Sequence, residues 1–265
     1  MKVVLFCGGY GMRMRDGMSD LPKPMTPLGD RPLLWHVMRY YAHYGHKEFI
    51  LCLGFGARHI KDYFLTYRET TSNDFVMRGD SRLVEVLAQD IHDWTITFVD
   101  TGRGTSIGER LRRVAGFLGD DEMFLANYAD VLTDAPLDAV IGDFQNSPEA
   151  LATLLAVHPQ SAFHVVDVED GDYVTKIHQV SDLPMRENGG YFVFRRELVD
   201  HIAPDEDLVG DVLARLSAQG KVKAFRHDGF WQPADTLKEH AMLEQMYVEG
   251  RRPWAPWDDN HWDGP

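Results

Sequence analysis

The chain has 265 residues, 44% of them hydrophobic and 26% charged, which suffices for a sizeable core in one α/β domain. With 41 acidic and 27 basic residues the net charge is −14, which argues against nucleic acid or an anionic membrane as the main partner. No apolar run is long enough to cross a membrane and no leader pattern opens the chain, so we expect a cytoplasmic protein. Cys7 and Cys52 both lie in apolar runs, which favours buried free thiols over a disulfide or a metal site.

Apolar patterning predicts alternating strands and helices in the first half of the chain. Short β-rich apolar runs indicate strands, and apolar residues at helical spacing indicate helices. In chain order we predict strand 3–7, helix 32–44, strand 48–53, helix 59–67, strand 94–99, helix 108–118, strand 123–128, helix 137–144 and strand 150–157. This alternation predicts an α/β three-layer sandwich, dinucleotide-binding-like, with a mostly parallel mixed sheet between two layers of helices.

The second half of the chain has a less regular pattern. We predict strands 164–168 and 173–177 around an acidic turn, strand 190–194, helix 208–218, an extended segment 221–226 and a closing helix 237–249. The tail, residues 251–265, carries Trp254, Trp257 and Trp262, which we expect to pack against the body or a neighbouring subunit. No repeat, low-complexity tract or linker divides the chain, so residues 1–265 are predicted to form one domain.

The most informative stretch is the glycine-rich turn after the first predicted strand. Gly8, Gly9 and Gly11 let the backbone approach a ligand closely, and their N–H groups can cradle phosphate oxygens. Arg13 and the proline-flanked Lys23 add positive charge beside that turn. A strand, a glycine turn and two cations together predict a nucleoside triphosphate site at the carboxyl end of the first strand.

Eight short segments occur in order along nearly the whole chain: residues 8–13, 22–25, 34–38, 60–64, 99–102, 110–114, 188–192 and 230–236. Beside the glycine turn, the most specific of them read Pro-Lys-Pro, Asp-Thr-Gly and Trp-Gln-Pro-Ala-Asp. In this order they resemble the sugar-1-phosphate nucleotidylyltransferases, and most closely the glucose-1-phosphate cytidylyltransferase branch. The resemblance implies that a sugar 1-phosphate attacks the α-phosphorus of a nucleoside triphosphate and releases pyrophosphate, without a covalent enzyme intermediate. CTP is the expected nucleotide, with dTTP, UTP and GTP left open.

The resemblance also implies roles for residues from both halves of the chain. The nucleotide is expected against residues of about 1–145, and the sugar phosphate against residues of about 146–250. Arg13 and Lys23 are the expected catalytic cations, acting on the departing phosphates and on the α-phosphate. The other expected contacts are Gly8, Gly9, Gly11, Thr101 and Arg110 for the nucleotide, and Asn188 and Gly189 for the sugar phosphate.

Two carboxylates are expected to hold a metal ion. Asp130 ends an apolar strand, a typical place for a carboxylate that faces a ligand crevice, and Asp235 follows the Trp-Gln-Pro segment. Carboxylates from two distant segments can share one Mg²⁺, which prefers carboxylates together with substrate phosphates. Such a cation would offset the repulsion between an acidic protein and a triphosphate.

The sequence departs from the family pattern at three places. Met12 stands where the family has threonine, and Ala129 stands where it has the glycine before the aspartate. The family's Glu-Lys-Pro segment, whose lysine binds the sugar phosphate, is absent, and the corresponding stretch reads Ile-His-Gln-Val-Ser-Asp. Lys176, His178 and Arg186 are the candidates to replace that lysine in binding the sugar phosphate.

Two other functions stay open. A dinucleotide-binding dehydrogenase also has a glycine turn, but its second strand ends in an acidic residue for the ribose, and here that strand ends in Leu-Cys-Leu-Gly. The missing lysine motivates a non-catalytic relative that binds a nucleotide sugar, whereas the retained Lys23, Asp130 and Asp235 argue against it. As in the family, we expect a homo-oligomer whose partners are a nucleoside triphosphate and a sugar 1-phosphate.

Overall fold

The computed structural model describes residues 1–9, 21–79, 83–160 and 164–258. Gly11, Met12, Arg13 and Trp262 lie outside these residues. The strands, in chain order, are β1 Lys2–Phe6, β2 Pro27–Leu28, β3 Arg31–Pro32, β4 Glu48–Leu53, β5 Phe75–Arg78, β6 Leu83–Val86, β7 Thr95–Asp100, β8 Met123–Asn127, β9 Val131–Thr133, β10 Ala152–Val157, β11 His164–Glu169, β12 Tyr173–Gln179, β13 Glu187–Arg195, β14 Val222–Arg226 and β15 Trp231–Pro233.

The helices lie between these strands and after the last of them. The α-helices are α1 Leu33–His43, α2 Ala57–Thr66, α3 Glu69–Ser72, α4 Ile107–Val114, α5 Leu137–Gln145, α6 Ala214–Ser217 and α7 Leu237–Val248. There are 3₁₀ turns at Lys23–Met25, Ala115–Leu118, Val180–Asp182 and Arg196–His201, and a π-helical turn at Leu208–Leu213 leads into α6. In the described part of the chain, none of the helices combines the length and the apolar character that a membrane span requires.

A seven-stranded sheet with the order β14-β10-β13-β8-β1-β4-β7 forms the centre of the fold. β1 pairs in parallel with β4 and β8, and β4 pairs in parallel with β7. β13 runs antiparallel to β8 and β10, while β14 is parallel to β10. The sheet is therefore mixed and mostly parallel, as predicted. Because β1, β4, β7 and β8 are parallel, the loops that follow them meet at one edge of the sheet.

Two hydrophobic cores cover the two faces of this sheet. Side chains alternate along β1, so Val3 and Leu5 belong to one core while Val4 and Phe6 belong to the other. The first core includes side chains of α1, α5 and α7, and the second includes side chains of α4 and α6. Helices on both faces of one sheet give the three-layer sandwich that the sequence predicts.

The observed elements differ from the predicted ones at several places. Strand β13 begins at Glu187, earlier than predicted, so the Asn-Gly-Gly segment lies within a strand. The helix predicted over 208–218 begins as a π-helical turn and becomes α-helical only at Ala214. Hairpin β5–β6 was not predicted, because all four residues of β5, Phe-Val-Met-Arg, are exposed and show no polar-apolar alternation.

Hairpin β11–β12 presents an apolar face that no described part of the chain covers. Val166 pairs with Ile177 and Val168 pairs with Val174, and all four side chains are exposed. These residues lie on one side of the hairpin because cross-strand pairs share a face. We call Val166, Val168, Val174 and Ile177 the apolar hairpin face.

The described tryptophans of the tail pack against the body, as predicted. Trp254 is 1% exposed and its ring lies 5.6 Å from that of Phe230. Trp257 meets the ring of Trp35 edge-on at 6.0 Å. Trp257 therefore places the described part of the tail against the start of α1.

Candidate active site

A cavity of about 720 Å³ opens at the carboxyl edge of the sheet, where the loops after β1, β7 and β8 meet. Its wall takes residues from both predicted halves of the chain. The predicted site residues that line it are Gly9, Lys23, Arg110, Asp130, Asn188, Gly189 and Asp235. A cavity of this size can enclose much of a nucleotide or a sugar phosphate.

Lys23 reaches this cavity from a short 3₁₀ turn. Pro24 and Met25 of that turn are buried, which anchors it and leaves the lysine side chain in the cavity wall. The Nζ of Lys23 lies 2.5 Å from Oδ1 of Asp235 and 3.8 Å from Oδ2 of Asp130. One ammonium group thus lies beside both predicted metal ligands.

Backbone pairing brings Asp130 and Asp235 together. Strand β9 follows Asp130 and β15 precedes Asp235, and the two strands pair antiparallel, with Val131 opposite Pro233. The N–H of Ala234 donates to the carbonyl oxygen of Asp130 at 3.0 Å, which extends this pairing by one step. The two aspartates therefore lie on adjacent segments at one end of the cavity.

Asp235 is also held by the helix that follows it. The Oγ1 of Thr236 accepts the N–H of Glu239 at 3.2 Å, and Oε2 of Glu239 accepts the N–H of Thr236 at 2.8 Å. This is the capping box that a Thr-x-x-Glu sequence predicts. The same Oε2 accepts the N–H of Asp235 at 2.9 Å. The capping box therefore fixes the backbone that carries this aspartate at the start of α7.

Among the described residues, two carboxyl groups lie beside the Lys23 ammonium at this end of the cavity. The side chains of Lys23 and Asp130 are 16% and 20% exposed, and that of Asp235 is 34% exposed. Burial raises the pKa of Asp130 to about 7; the Lys23 ammonium opposes this rise and the Asp235 carboxylate adds to it. In the described part of the site, two carboxylates that repel each other beside one ammonium favour the binding of a further cation.

The Asn-Gly-Gly segment forms another part of the wall with two aromatic residues. Nδ2 of Asn188 donates to the Tyr128 hydroxyl at 3.1 Å, and Oδ1 accepts the N–H of Gly190 at 3.0 Å. The carbonyl of Gly189 accepts the indole N–H of Trp231 at 2.8 Å. Gly190 has a φ of 75°, and a Cβ there would lie 2.6 Å from the Tyr128 ring, so glycine is required.

Arg110 is a buried residue, 3% exposed, behind the loops of the cavity. Its guanidinium donates to the carbonyl oxygens of Gly8 at 3.0 Å, Thr105 at 3.1 Å and Leu53 at 3.2 Å, and to Oγ1 of Thr101 at 2.7 Å. A Cβ on Gly8 would lie 2.0 Å from Nη1 of Arg110, so this close approach also requires glycine. The arginine therefore ties together the loops that follow β1, β4 and β7.

Thr101 and Gly8, two expected nucleotide contacts, both accept hydrogen bonds from the buried Arg110 guanidinium. Thr101 is fully buried, and its Oγ1 donates to the carbonyl of Leu53 at 2.8 Å while accepting from Arg110. Neither Thr101 nor Gly8 is part of the cavity lining, whereas Gly9 is. The hydroxyl of Thr101 is engaged inside the protein, and the expected contact of this residue with the nucleotide stays a prediction.

The chain matches known proteins along most of its length. The nucleotidyl transferase family model matches residues 2–244. The chain belongs to the nucleotidyl transferase family. Two relatives named glucose-1-phosphate cytidylyltransferase, from Salmonella typhi and Salmonella typhimurium, are each 36% identical to it over 263 residues, which cover 97% of this chain and 100% of each relative.

Solved structures show the same fold. The UDP-glucose pyrophosphorylase of Acinetobacter baumannii is 19% identical, with a TM-score of 0.67, and the match covers 93% of this chain and 92% of that one. The fold predicted from the sequence is thereby confirmed. Membership of the nucleotidyl transferase family, with the full-length relatives, also confirms the predicted class of enzyme, a sugar-1-phosphate nucleotidylyltransferase.

In this nucleotidyl transferase, Lys176 and His178 lie away from the cavity lining. Both are on β12, and Nε2 of His178 bonds to Oδ2 of Asp167 on β11 at 2.9 Å. Arg186 donates to Oδ1 of Asp228 at 2.6 Å and is not part of the lining either. An exposed hairpin carries Lys176 and His178 outside the lining, and their contact with the sugar phosphate stays a prediction.

The residues of the cavity wall that sequence reasoning missed include Tyr128, Gln160, Glu187 and Trp231. Tyr128 stands two residues before Asp130, so its closeness in sequence to a predicted metal ligand was the available signal. Trp231 belongs to the quoted Trp-Gln-Pro segment. Gln160 has no local signal, since only the fold brings its Nε2 to the carbonyl of Trp231, at 3.1 Å.

Proposed function

We propose that this chain is a Mg²⁺-dependent cytidylyltransferase that joins CTP to glucose 1-phosphate, giving CDP-glucose and pyrophosphate. The observation that carries the proposal is the meeting of Lys23, Asp130 and Asp235 at one end of a cavity of about 720 Å³. The two Salmonella relatives, 36% identical over their whole length, support CTP and glucose 1-phosphate as the substrates.

The carboxylate pair fits a Mg²⁺ ion. Mg²⁺ is usually held by one or two carboxylates and completes its coordination with water and substrate phosphates. Asp130 and Asp235 already share one cation, the Lys23 ammonium, at 3.8 and 2.5 Å, and the charge of Asp235 raises the pKa of Asp130. Mg²⁺ bound by these carboxylates would neutralise charge on the phosphate oxygens of the nucleotide.

The proposed reaction is an in-line displacement at the α-phosphorus. An oxygen of the sugar phosphate forms the new P–O bond, the bond to the bridging oxygen of the β-phosphate breaks, and pyrophosphate leaves with that electron pair. This chemistry needs positioning and charge neutralisation rather than a protein nucleophile. Lys23 is proposed to supply positive charge at the α-phosphate, and Arg13, outside the described residues, to hold the departing phosphates.

The two walls of the cavity suit the two substrates. Among the described residues, the basic side chains that line it are Lys23, Arg103 and Arg110, all from the first half of the chain. We therefore place the nucleotide on that side, and the sugar against Tyr128 and Asn188, which offer hydroxyl and amide groups. Without a lysine from the second half, the sugar phosphate depends on Lys23 and the metal for charge neutralisation.

A matrix of substrates tests the proposed function. The protein is incubated with Mg²⁺, each of CTP, dTTP, UTP and GTP, and a panel of sugar 1-phosphates, and pyrophosphate release is measured. We expect the largest kcat/KM for CTP with glucose 1-phosphate. A larger kcat/KM for another pair would replace these substrates, and no release from any pair would contradict the proposed activity.

We also propose that the protein is a homo-oligomer in which the apolar hairpin face is covered by a second copy. Val166, Val168, Val174 and Ile177 form a contiguous exposed apolar surface on a two-stranded hairpin, which is marginally stable without further packing.

Cys7 and Cys52 are buried free thiols, which supports the proposal that the protein acts in the reducing cytoplasm.

A further inference from the structure

Asn127 places a polar side chain in the middle of the sheet. It is the last residue of β8, the central strand, it is fully buried, and it pairs with Leu5 and Tyr191 on the neighbouring strands. A buried carboxamide costs free energy unless its polar atoms form hydrogen bonds. Here Oδ1 of Asn127 accepts the N–H of Ala129 at 2.6 Å, an Asx turn that begins where the strand ends.

Ala129 has a left-handed backbone conformation, with a φ of 65°. A residue with a Cβ is disfavoured there, and such a conformation persists only where the surroundings hold it. The other described non-glycine residues with positive φ are Asp172 and Asp205, which are exposed and of a type that tolerates this region. Ala129 is fully buried, and its own N–H is the group that Asn127 binds.

The turn at Ala129 determines where Asp130 points. Tyr128 and Asp130, on either side of it, both line the cavity. The N–H of Tyr128 donates to the carbonyl of Gly190 at 3.3 Å, and the carbonyl of Asp130 accepts the N–H of Ala234 at 3.0 Å, so both ends of the turn are anchored. A change in the φ of Ala129 rotates Asp130 relative to those anchors and moves its carboxylate.

We propose that Asn127 is a positioning residue for the reaction. Its side chain holds Ala129 in the left-handed conformation and thereby aims the Asp130 carboxylate at Lys23 and Asp235. The inference rests on the proposed role of Asp130 as a metal ligand. It predicts that glycine at position 129, which adopts a positive φ without help, makes the Asn127 side chain dispensable for metal binding.

The test measures Mn²⁺ binding to the full chain by calorimetry, together with kcat, for four variants. Asn127→Ala is expected to raise the Mn²⁺ dissociation constant about tenfold, as loss of a group that orients a metal ligand does. Adding Ala129→Gly to Asn127→Ala is expected to restore most of the affinity and of kcat. Asn127→Ser, whose hydroxyl can accept the same N–H, is expected to lose less Mn²⁺ affinity than Asn127→Ala. It replaces Asn127→Ala in the test if that variant does not fold.

Thr153→Ala is the matched control, because Thr153 is a fully buried polar residue of the same sheet that does not line the cavity. It is expected to lower the melting temperature without changing Mn²⁺ affinity. If Asn127→Ala and Asn127→Ser behave like this control, or if Ala129→Gly does not restore binding, the inference is overturned while the proposed function stands. If Mn²⁺ affinities follow the expected order but no substrate pair reacts, the inference stands and the proposed function fails.

Discussion

The Nζ of Lys23 lies 2.5 Å from Oδ1 of Asp235, although 212 positions separate the two residues in the sequence. The contact joins the 3₁₀ turn after the glycine-rich segment to the start of the last helix, and Asp130 lies beside it at 3.8 Å. Three segments from both halves of the chain therefore supply one cluster of charges. Predictions about this cluster separate its chemical role from its contribution to stability.

Replacing Lys23 by alanine is expected to lower kcat by about 10²-fold or more, because a cation that neutralises charge in the transition state is lost. The melting temperature should change little, since Lys23 is partly exposed and lies at the cavity rather than in the core. Pyrophosphate release and thermal denaturation measure the two effects. Lys223→Ala, which breaks an ion pair with Asp143 outside the cavity, should leave kcat unchanged. An unaltered kcat for Lys23→Ala would remove this lysine from the mechanism.

Asp235→Asn is expected to raise the Mg²⁺ concentration for half-maximal activity about tenfold or more, because one proposed ligand loses its charge. A titration of initial rate against Mg²⁺ measures this change, and treatment with a chelator should abolish the activity of the unaltered protein until Mg²⁺ is returned. Asp62→Asn is the control, since that exposed carboxylate pairs with Arg58 on the surface of α2 and does not line the cavity. Equal Mg²⁺ requirements for both variants would rule out Asp235 as a ligand.

Arg110→Lys is expected to lower the free energy of unfolding by about 2 kcal/mol or more, although the charge is kept. A lysine ammonium cannot reach the carbonyl oxygens of Gly8, Leu53 and Thr105 together, so buried acceptors lose their donors. Urea denaturation measures the loss, and a raised KM for the nucleotide should accompany it. Arg58→Lys, at a side chain that is 91% exposed, should have no effect. A loss as small as that of the control would show that Arg110 does not hold the loops.

Stability is expected to fall as the pH drops, because His36 is buried as a neutral ring. Burial lowers the pKa of His36 to about 4, and its Nε2–H donates to the carbonyl of Leu28 at 3.0 Å. Between the unfolded pKa of about 6.5 and the folded value, the unfolded chain binds more protons, so stability is complete above this window and is lost as the pH falls through it. From about pH 7.5 to about pH 5 the loss is about 2 kcal/mol.

Urea denaturation at several pH values compares the unaltered protein with His36→Gln, which keeps a donor for the Leu28 carbonyl but does not titrate. Other titrating groups contribute equally to both proteins, so the difference isolates His36. The gap between the two proteins should narrow as the pH falls to about 5. A gap that is constant over this range would mean that His36 is not responsible.

Two substitutions on the apolar hairpin face test the proposed oligomer. Val168→Asp and Ile177→Asp place charges on a surface that a second copy would bury, and a buried unpaired charge strongly disfavours association. Light scattering after size-exclusion chromatography should show a smaller assembly for this double variant. Val248→Asp, at an exposed position of α7, is the control and should keep the original mass. An unchanged mass for the double variant would mean that this face is not the interface.

Elements with a clear period or a local signature were predictable. Strand β4 was predicted with its observed bounds, since the five apolar residues that follow Glu48 between turns leave few alternatives. The capping box at Thr236 and the proline-flanked turn at Lys23 likewise depend on residues close in sequence. Hairpin β5–β6 was missed because its apolar residues face outward, and outward-facing residues carry no burial pattern.

The sequence by itself determined the mostly parallel sheet, the family and the residues of the charge cluster, because periodicity and short motifs record local and repeated constraints. Only the tertiary structure decided where several other predicted site residues lie. Thr101 and Arg110 support loops from inside, and Lys176 and His178 lie on an exposed hairpin. The physical reason is that backbone pairing between distant strands and the burial of apolar side chains determine which side chains face a cavity. The spacing of residues along the chain does not predict either of them.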